Sequence, residues 1–137
     1  MKDKGKRVYA RLLKNILIIG VILTTLVAFP AHANQKIVIL GDSLSAAYGL
    51  DPLMGWVKLL EIKLKQLDYP YEVINASISG ETTAGGANKI KETLKRHQPT
   101  IIVVELGGND GLQGLSIAAM KKNLADILIT AQFLKKC

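Results

Sequence analysis

Hydrophobic and polar positions change period several times along the chain, and each change marks an element. Lys36-Ile37-Val38-Ile39-Leu40 is a short β-branched run closed by Gly41-Asp42, the signature of a buried strand. Beyond a loop, Trp56, Leu59, Leu60, Leu64 and Leu67 recur at three- and four-residue steps with Lys58, Glu61, Lys63 and Lys65 between them, which predicts an amphipathic helix ended by Pro70. Tyr71 to Asn75 reads as a second strand. A second helix follows from Thr82 to about His97, its apolar positions Ala87, Ile90 and Leu94 sparse and its end marked by Pro99. Thr100 to Leu106 is a third strand whose unbroken centre, Ile101-Ile102-Val103-Val104, suits a central place covered on both faces. The last helix starts from Ser116 as N-cap and sets Ile117, Met120, Leu124, Ile127, Leu128, Ala131 and Leu134 along one side. Strand-helix-strand alternation with short connections predicts parallel strands joined by right-handed crossovers, hence a three-layer α/β/α sandwich.

The first 33 residues stand apart from this alternation. A basic stretch from Lys2 to Lys14, an apolar run from Ile16 to Phe29 and the small-x-small string Ala31-His32-Ala33 have the order of a cleavable signal peptide, with cleavage after Ala33. The apolar run is 14 residues, whereas a membrane-crossing helix needs about 20. The expected organisation is therefore a signal peptide over residues 1–33 and one domain over residues 34–137, exported by a Sec-type route without a permanent membrane anchor.

Charge changes meaning once that leader is set aside. Lys2, Lys4, Lys6, Arg7, Arg11 and Lys14 against Asp3 carry +5 of the formal +7, leaving +2 on the rest. The basic balance is a targeting feature and gives no support for a nucleic-acid surface. The lone cysteine, Cys137, is the last residue, so neither a disulfide framework nor a metal-ligand spacing is present.

Ligands of parallel sheets bind at the carboxyl ends of the strands, so the loops that follow the strands are the places to seek chemistry. Those loops are Gly41-Asp42-Ser43-Leu44-Ser45, Asn75-Ala76-Ser77-Ile78-Ser79-Gly80-Glu81-Thr82 and Gly107-Gly108-Asn109-Asp110-Gly111. Each combines a small residue, which lets backbone N–H groups face a cleft, with a polar tip. Any one alone reads as turn and N-cap chemistry. None has the glycine spacing of a dinucleotide fingerprint or the Lys-Ser/Thr of a phosphate loop, so a flavodoxin-like nucleotide binder rests on fold alone.

Taken together and in order, the three loops resemble the sequence blocks of the SGNH, or GDSL, hydrolases. Within that family the chain is most similar to the periplasmic thioesterase, arylesterase and lysophospholipase group. The resemblance covers residues 36 to about 130 and implies the SGNH variant of the flavodoxin-like sandwich. It also implies a hydrolase of acyl esters or thioesters, acting on small molecules, without metal or organic cofactor, as a periplasmic monomer. Ser43 would be the nucleophile, with the Ser43 and Gly80 N–H groups and the Asn109 side-chain amide binding the oxyanion. Asp42 and Asp110 are expected to order the loops, and Ser45 and Ser79 to form turns.

The family's base is a histidine with an aspartate three residues before it. The chain has only His32, in the leader, and His97, at the amino end of the third strand. His97 is expected to sit at a helix C-terminus and interact favourably with the helix dipole. The Asp-x-x-His block is therefore expected to be absent through C-terminal truncation, leaving the N-terminal part of the domain with impaired activity. The alternative is a secreted, non-catalytic module that binds an acyl group or a partner.

Overall fold

The computed structural model describes residues 35–134, so the expected leader, His32 and the closing Lys135-Lys136-Cys137 lie outside the described residues. Three strands, β1 (Gln35–Gly41), β2 (Tyr71–Asn75) and β3 (Ile101–Glu105), alternate with α1 (Trp56–Gln66), α2 (Thr83–His97), α3 (Gly108–Leu112) and α4 (Ile117–Leu134). All pairings are parallel and the order is β2-β1-β3. The β1–β2 register sets Ile37 against Val73, and the β1–β3 register sets Gly41 against Glu105. Helices lie on both faces, giving the predicted three-layer sandwich.

The central strand is β1, and Val38, Ile39 and Leu40 are fully buried there. Successive side chains of a strand point to opposite faces. Ile37 and Ile39 meet Val57, Leu60 and Leu64 of α1 together with Val73 and Val103. On the other face Leu40 packs with Ile90 and Leu94 of α2 and Ile127 of α4, with Ile102, Val104 and Leu124 around them. The β3 run sits at the edge of the described sheet, with β1 as its neighbour there, and its residues are half-buried or exposed. An unbroken apolar run shows that both faces are covered but not how many neighbours the strand has.

Two helices also turn differently from their expected stripes. In α1 the buried position is Val57, while Leu59 and Leu67 are exposed. In α4 Ile127 is buried with Leu124 and Ala131 beside it, whereas Ile117 and Leu128 face outward. The helix is apolar on more than one side, so periodicity did not fix which side packs. Ser116 caps it as expected, its hydroxyl accepting from the Ala119 N–H at 3.4 Å. The sparse apolar pattern of α2 has its reason in Gly86, where an added Cβ would lie 2.4 Å from Leu106 and 3.4 Å from Ile127. The helix approaches the sheet and α4 through a missing side chain, not through a large one.

Because Ile127 has no exposed surface and is shared by both helices and β1, Ile127→Ala is expected to cost about 2–5 kcal/mol of stability. Urea unfolding followed by circular dichroism checks this, and an unchanged midpoint would contradict the packing described.

Candidate active site

The connection from β1 to β2 passes over one face and the connection from β2 to β3 over the other, so the crossovers diverge at the carboxyl ends of β1 and β3. Such a divergence leaves a crevice in parallel sheets. The first loop enters it as a chain of turns from Asp42 onward, with the Ala46 N–H donating to the Asp42 carbonyl at 2.9 Å and the Tyr48 N–H to the Ser43 carbonyl at 3.0 Å. Asp42 is buried, and one carboxylate oxygen accepts from the Leu44 N–H at 3.0 Å. Ser43 lies at the head of this turn. Among the described residues neither its N–H nor its hydroxyl has a protein partner.

The second loop is stitched to the end of β1. The Ala76 N–H donates to the Ile39 carbonyl at 2.8 Å and the Ile78 N–H to the Gly41 carbonyl at 3.1 Å. The loop then turns at Gly80, whose φ of +82° is left-handed and favours glycine. The Gly80 N–H also lacks a protein acceptor among the described residues. Next to it, the Glu81 carboxylate pairs with Lys89 of α2, which also reaches the Ala76 carbonyl at 3.4 Å.

The segment expected as the third loop, which from Gly108 to Leu112 is the short helix α3, supplies the link. Asn109 Nδ2 donates to Asp42 Oδ2 at 3.1 Å and to the Glu81 carbonyl at 2.9 Å. One amide thus touches the neighbour of Ser43 and the neighbour of Gly80, and the three residues picked from separate loops meet at one end of the sheet. Asp110, also buried, turns away from the crevice. Its two oxygens accept from the Thr83 N–H at 2.8 Å and the Thr83 hydroxyl at 2.5 Å, tying the third loop to the start of α2. Asn123 of α4 donates to the same hydroxyl at 3.1 Å. Asp42 and Asp110 therefore order loops, as expected from their positions. Among the described residues no group of three metal-ligating side chains occurs, and no helix is long and apolar enough to cross a membrane.

His97 stands elsewhere. It is the last residue of α2, and a helix of that length separates its ends by roughly 20 Å. Thr83, at the other end, is the residue bound to Asp110. Ser45 is more than a turn former: it is buried and bonded to Glu105 and Trp56, which lie outside the loop patterns, and to Asn75, which opens the second of them. A signal for Glu105 was present, since it is the only charged residue in the apolar run from Thr100 to Leu106.

Residues 39–135 match the model of the GDSL-like Lipase/Acylhydrolase family. The chain belongs to this family. It is 48% identical over 95 residues to the Esterase TesA of Pseudomonas aeruginosa, an alignment that covers 69% of this chain and 47% of that protein. It is 43% identical over 103 residues to the Thioesterase 1/protease 1/lysophospholipase L1 of Escherichia coli K12, covering 75% and 48%. A crystal structure of TesA superposes with a TM-score of 0.73 at 46% identity, covering 74% of this chain and 56% of that one. The chain spans about half the length of the curated relatives it matches. What it shares with these GDSL-like proteins is the part described above, from the first strand to α4.

The buried Asp110–Thr83 link is expected to matter more than any surface pair. Asp110→Ala strands a buried N–H and hydroxyl and is expected to cost about 3 kcal/mol. Asp126→Ala breaks the exposed Lys122–Asp126 bridge and is expected to cost under about 0.5 kcal/mol. Chemical denaturation of both variants checks the contrast.

Proposed function

We propose that the protein is an exported, periplasmic serine hydrolase of acyl esters or thioesters, of the esterase, thioesterase and lysophospholipase kind, acting through Ser43. The observation that carries this reading is the Asn109 amide, bound at once to Asp42 and Glu81. That amide links the residue before Ser43 to the residue after Gly80, and among the described residues the N–H groups of Ser43 and Gly80 have no protein acceptor. In the reaction Ser43 Oγ attacks the acyl carbonyl carbon, and the carbonyl electrons move onto its oxygen. The Ser43 and Gly80 N–H groups and Asn109 Nδ2 donate to that oxyanion. Both amide protons of Asn109 already have acceptors, so the longer bond, to Asp42, is the one shared with the oxyanion. A base must take the Ser43 proton and pass it to the leaving oxygen or sulfur; collapse of the intermediate then expels the alcohol or thiol and leaves an acyl-serine, which water cleaves to the free acid. Removing one preorganised donor of this type costs about 100- to 1,000-fold in rate.

The acyl part of the substrate suits the surroundings. Leu44, Tyr48, Leu50, Leu53, Met54, Ile78 and Leu112 are exposed in the segments that follow the three strands, a surface fitted to hydrocarbon. No cofactor is required by these steps.

What the described residues do not bring to Ser43 is a base. Serine is a weak nucleophile until its proton is taken, and His97 is at the far end of α2. This favours, as a second reading for the 137-residue polypeptide, a module that binds an acyl group without turning it over. Both readings meet in one assay. The polypeptide is expected to hydrolyse p-nitrophenyl butyrate up to about a million-fold more slowly than a relative with a complete Ser-His pair. An ordinary esterase rate from the purified polypeptide would show that a base reaches Ser43 by a route not described above. Complete loss of acyl-analogue binding would remove the second reading.

A further inference from the structure

Among the described residues the hydroxyl of Ser43 has no partner, so its place depends on the backbone of its turn, and that turn is neither helix nor strand. Two residues on, Ser45 is 1% exposed, and both its hydroxyl and its carbonyl bridge to other elements. Its hydroxyl donates to Glu105 Oε2 at 2.8 Å and accepts from Trp56 Nε1 at 3.2 Å. Its carbonyl accepts from Asn75 Nδ2 at 2.7 Å. Glu105 closes β3, Asn75 closes β2 and Trp56 opens α1, so all three elements are fastened to one residue of the nucleophile turn.

Gly41 makes the convergence possible. It pairs with Glu105 across the β1–β3 register, and a Cβ there would lie 2.6 Å from Ser45 Oγ and 3.0 Å from Glu105 Oε2. Without that carbon, hydroxyl and carboxylate meet above the strand. A carboxylate acceptor makes the bond charge-assisted and stronger than a neutral one. The single hydroxyl proton is committed to Glu105, which turns a lone pair toward the indole N–H. A shift of an ångström in a reacting group costs on the order of 100-fold in rate, so a fixed turn has catalytic value.

We propose that Ser45 and Glu105 are positioning residues for Ser43, joined by the Trp56–Ser45–Glu105 hydrogen-bond chain over Gly41. The proposal rests on the reading of Ser43 as the attacking group, and it is tested by a measurement that does not use the reaction. Trp56 is the only tryptophan of the chain, so its indole N–H gives one unambiguous nuclear magnetic resonance signal.

The experiment follows that signal and the amide exchange of Ala46 and Tyr48 in the full chain. In Glu105→Leu the two turn amides are expected to exchange about tenfold faster or more, as loss of a charge-assisted bond implies. The Trp56 indole signal is expected to move as well, although Glu105 does not touch the indole. Glu105→Gln keeps an acceptor oxygen and is expected to restore both within about threefold, while β1 amides stay unchanged in each variant. Unaltered turn amides overturn the proposal, and so does an equal acceleration in β1, which would mark a general stability effect. Should Glu105→Leu not fold, Trp56→Phe leaves the Ser45–Glu105 bond in place. A smaller acceleration of the same two amides then supports the proposal, and none overturns it. The nucleophile reading fails independently if Ser43→Ala in a whole, active family protein carrying these blocks leaves ester hydrolysis unchanged, a result on which the exchange data do not depend.

Discussion

Burial of β1 is the constraint from which the rest of the structure follows. It has a partner strand on each side, α1 over one face and α2 with α4 over the other. No other strand among the described residues is held from all four directions. Its carboxyl end is therefore the best fixed point for a polar turn, and the Asp42–Ser45 segment begins there. Fully burying an aliphatic side chain contributes about 1.5–3 kcal/mol, so the Val38–Leu40 run outweighs any single hydrogen bond in the loops it carries. The polar contacts decide direction: they aim groups that the apolar core has already brought near.

Those contacts form two separate knots with different work. One joins Asp42, Asn109 and Glu81 in the crevice and faces the solvent end. The other joins Asp110, Thr83 and Asn123 behind it and fastens the third loop to both helices of that face. Adjacent residues of the short helix α3, Asn109 and Asp110, thus have different duties. A buried carboxylate that receives two donors from one residue is a structural tether, and its neighbour is left to face the cleft.

Much of this was readable in the amino-acid order. The β2 bounds and the Ser116 cap follow from local chemistry, and so does the placement of Ser43, Gly80 and Asn109 in segments that follow the carboxyl ends of three parallel strands. Local chemistry suffices there because parallel strands place the loops after them side by side. What the order does not reveal are partners 27 to 60 residues apart, such as Thr83 with Asp110 or Ser45 with Glu105. A hydrogen bond across the fold leaves no period in the chain. Nor does the stripe of α4 decide its own rotation: with Leu128 and Ile129 as apolar as Ile127, only the neighbours choose which is buried.

Gly80 shows a different kind of constraint. A Cβ added there would meet nothing within 4 Å, so crowding does not exclude a methyl side chain at this position. What excludes most side chains is handedness, because φ of +82° belongs to the mirror half of backbone space for an L-residue. A D-alanine introduced by chemical synthesis would fit where L-alanine strains the turn. The second loop is thus guarded by chirality at a point where volume guards nothing, and surveys of tolerated substitutions based on size would misjudge it.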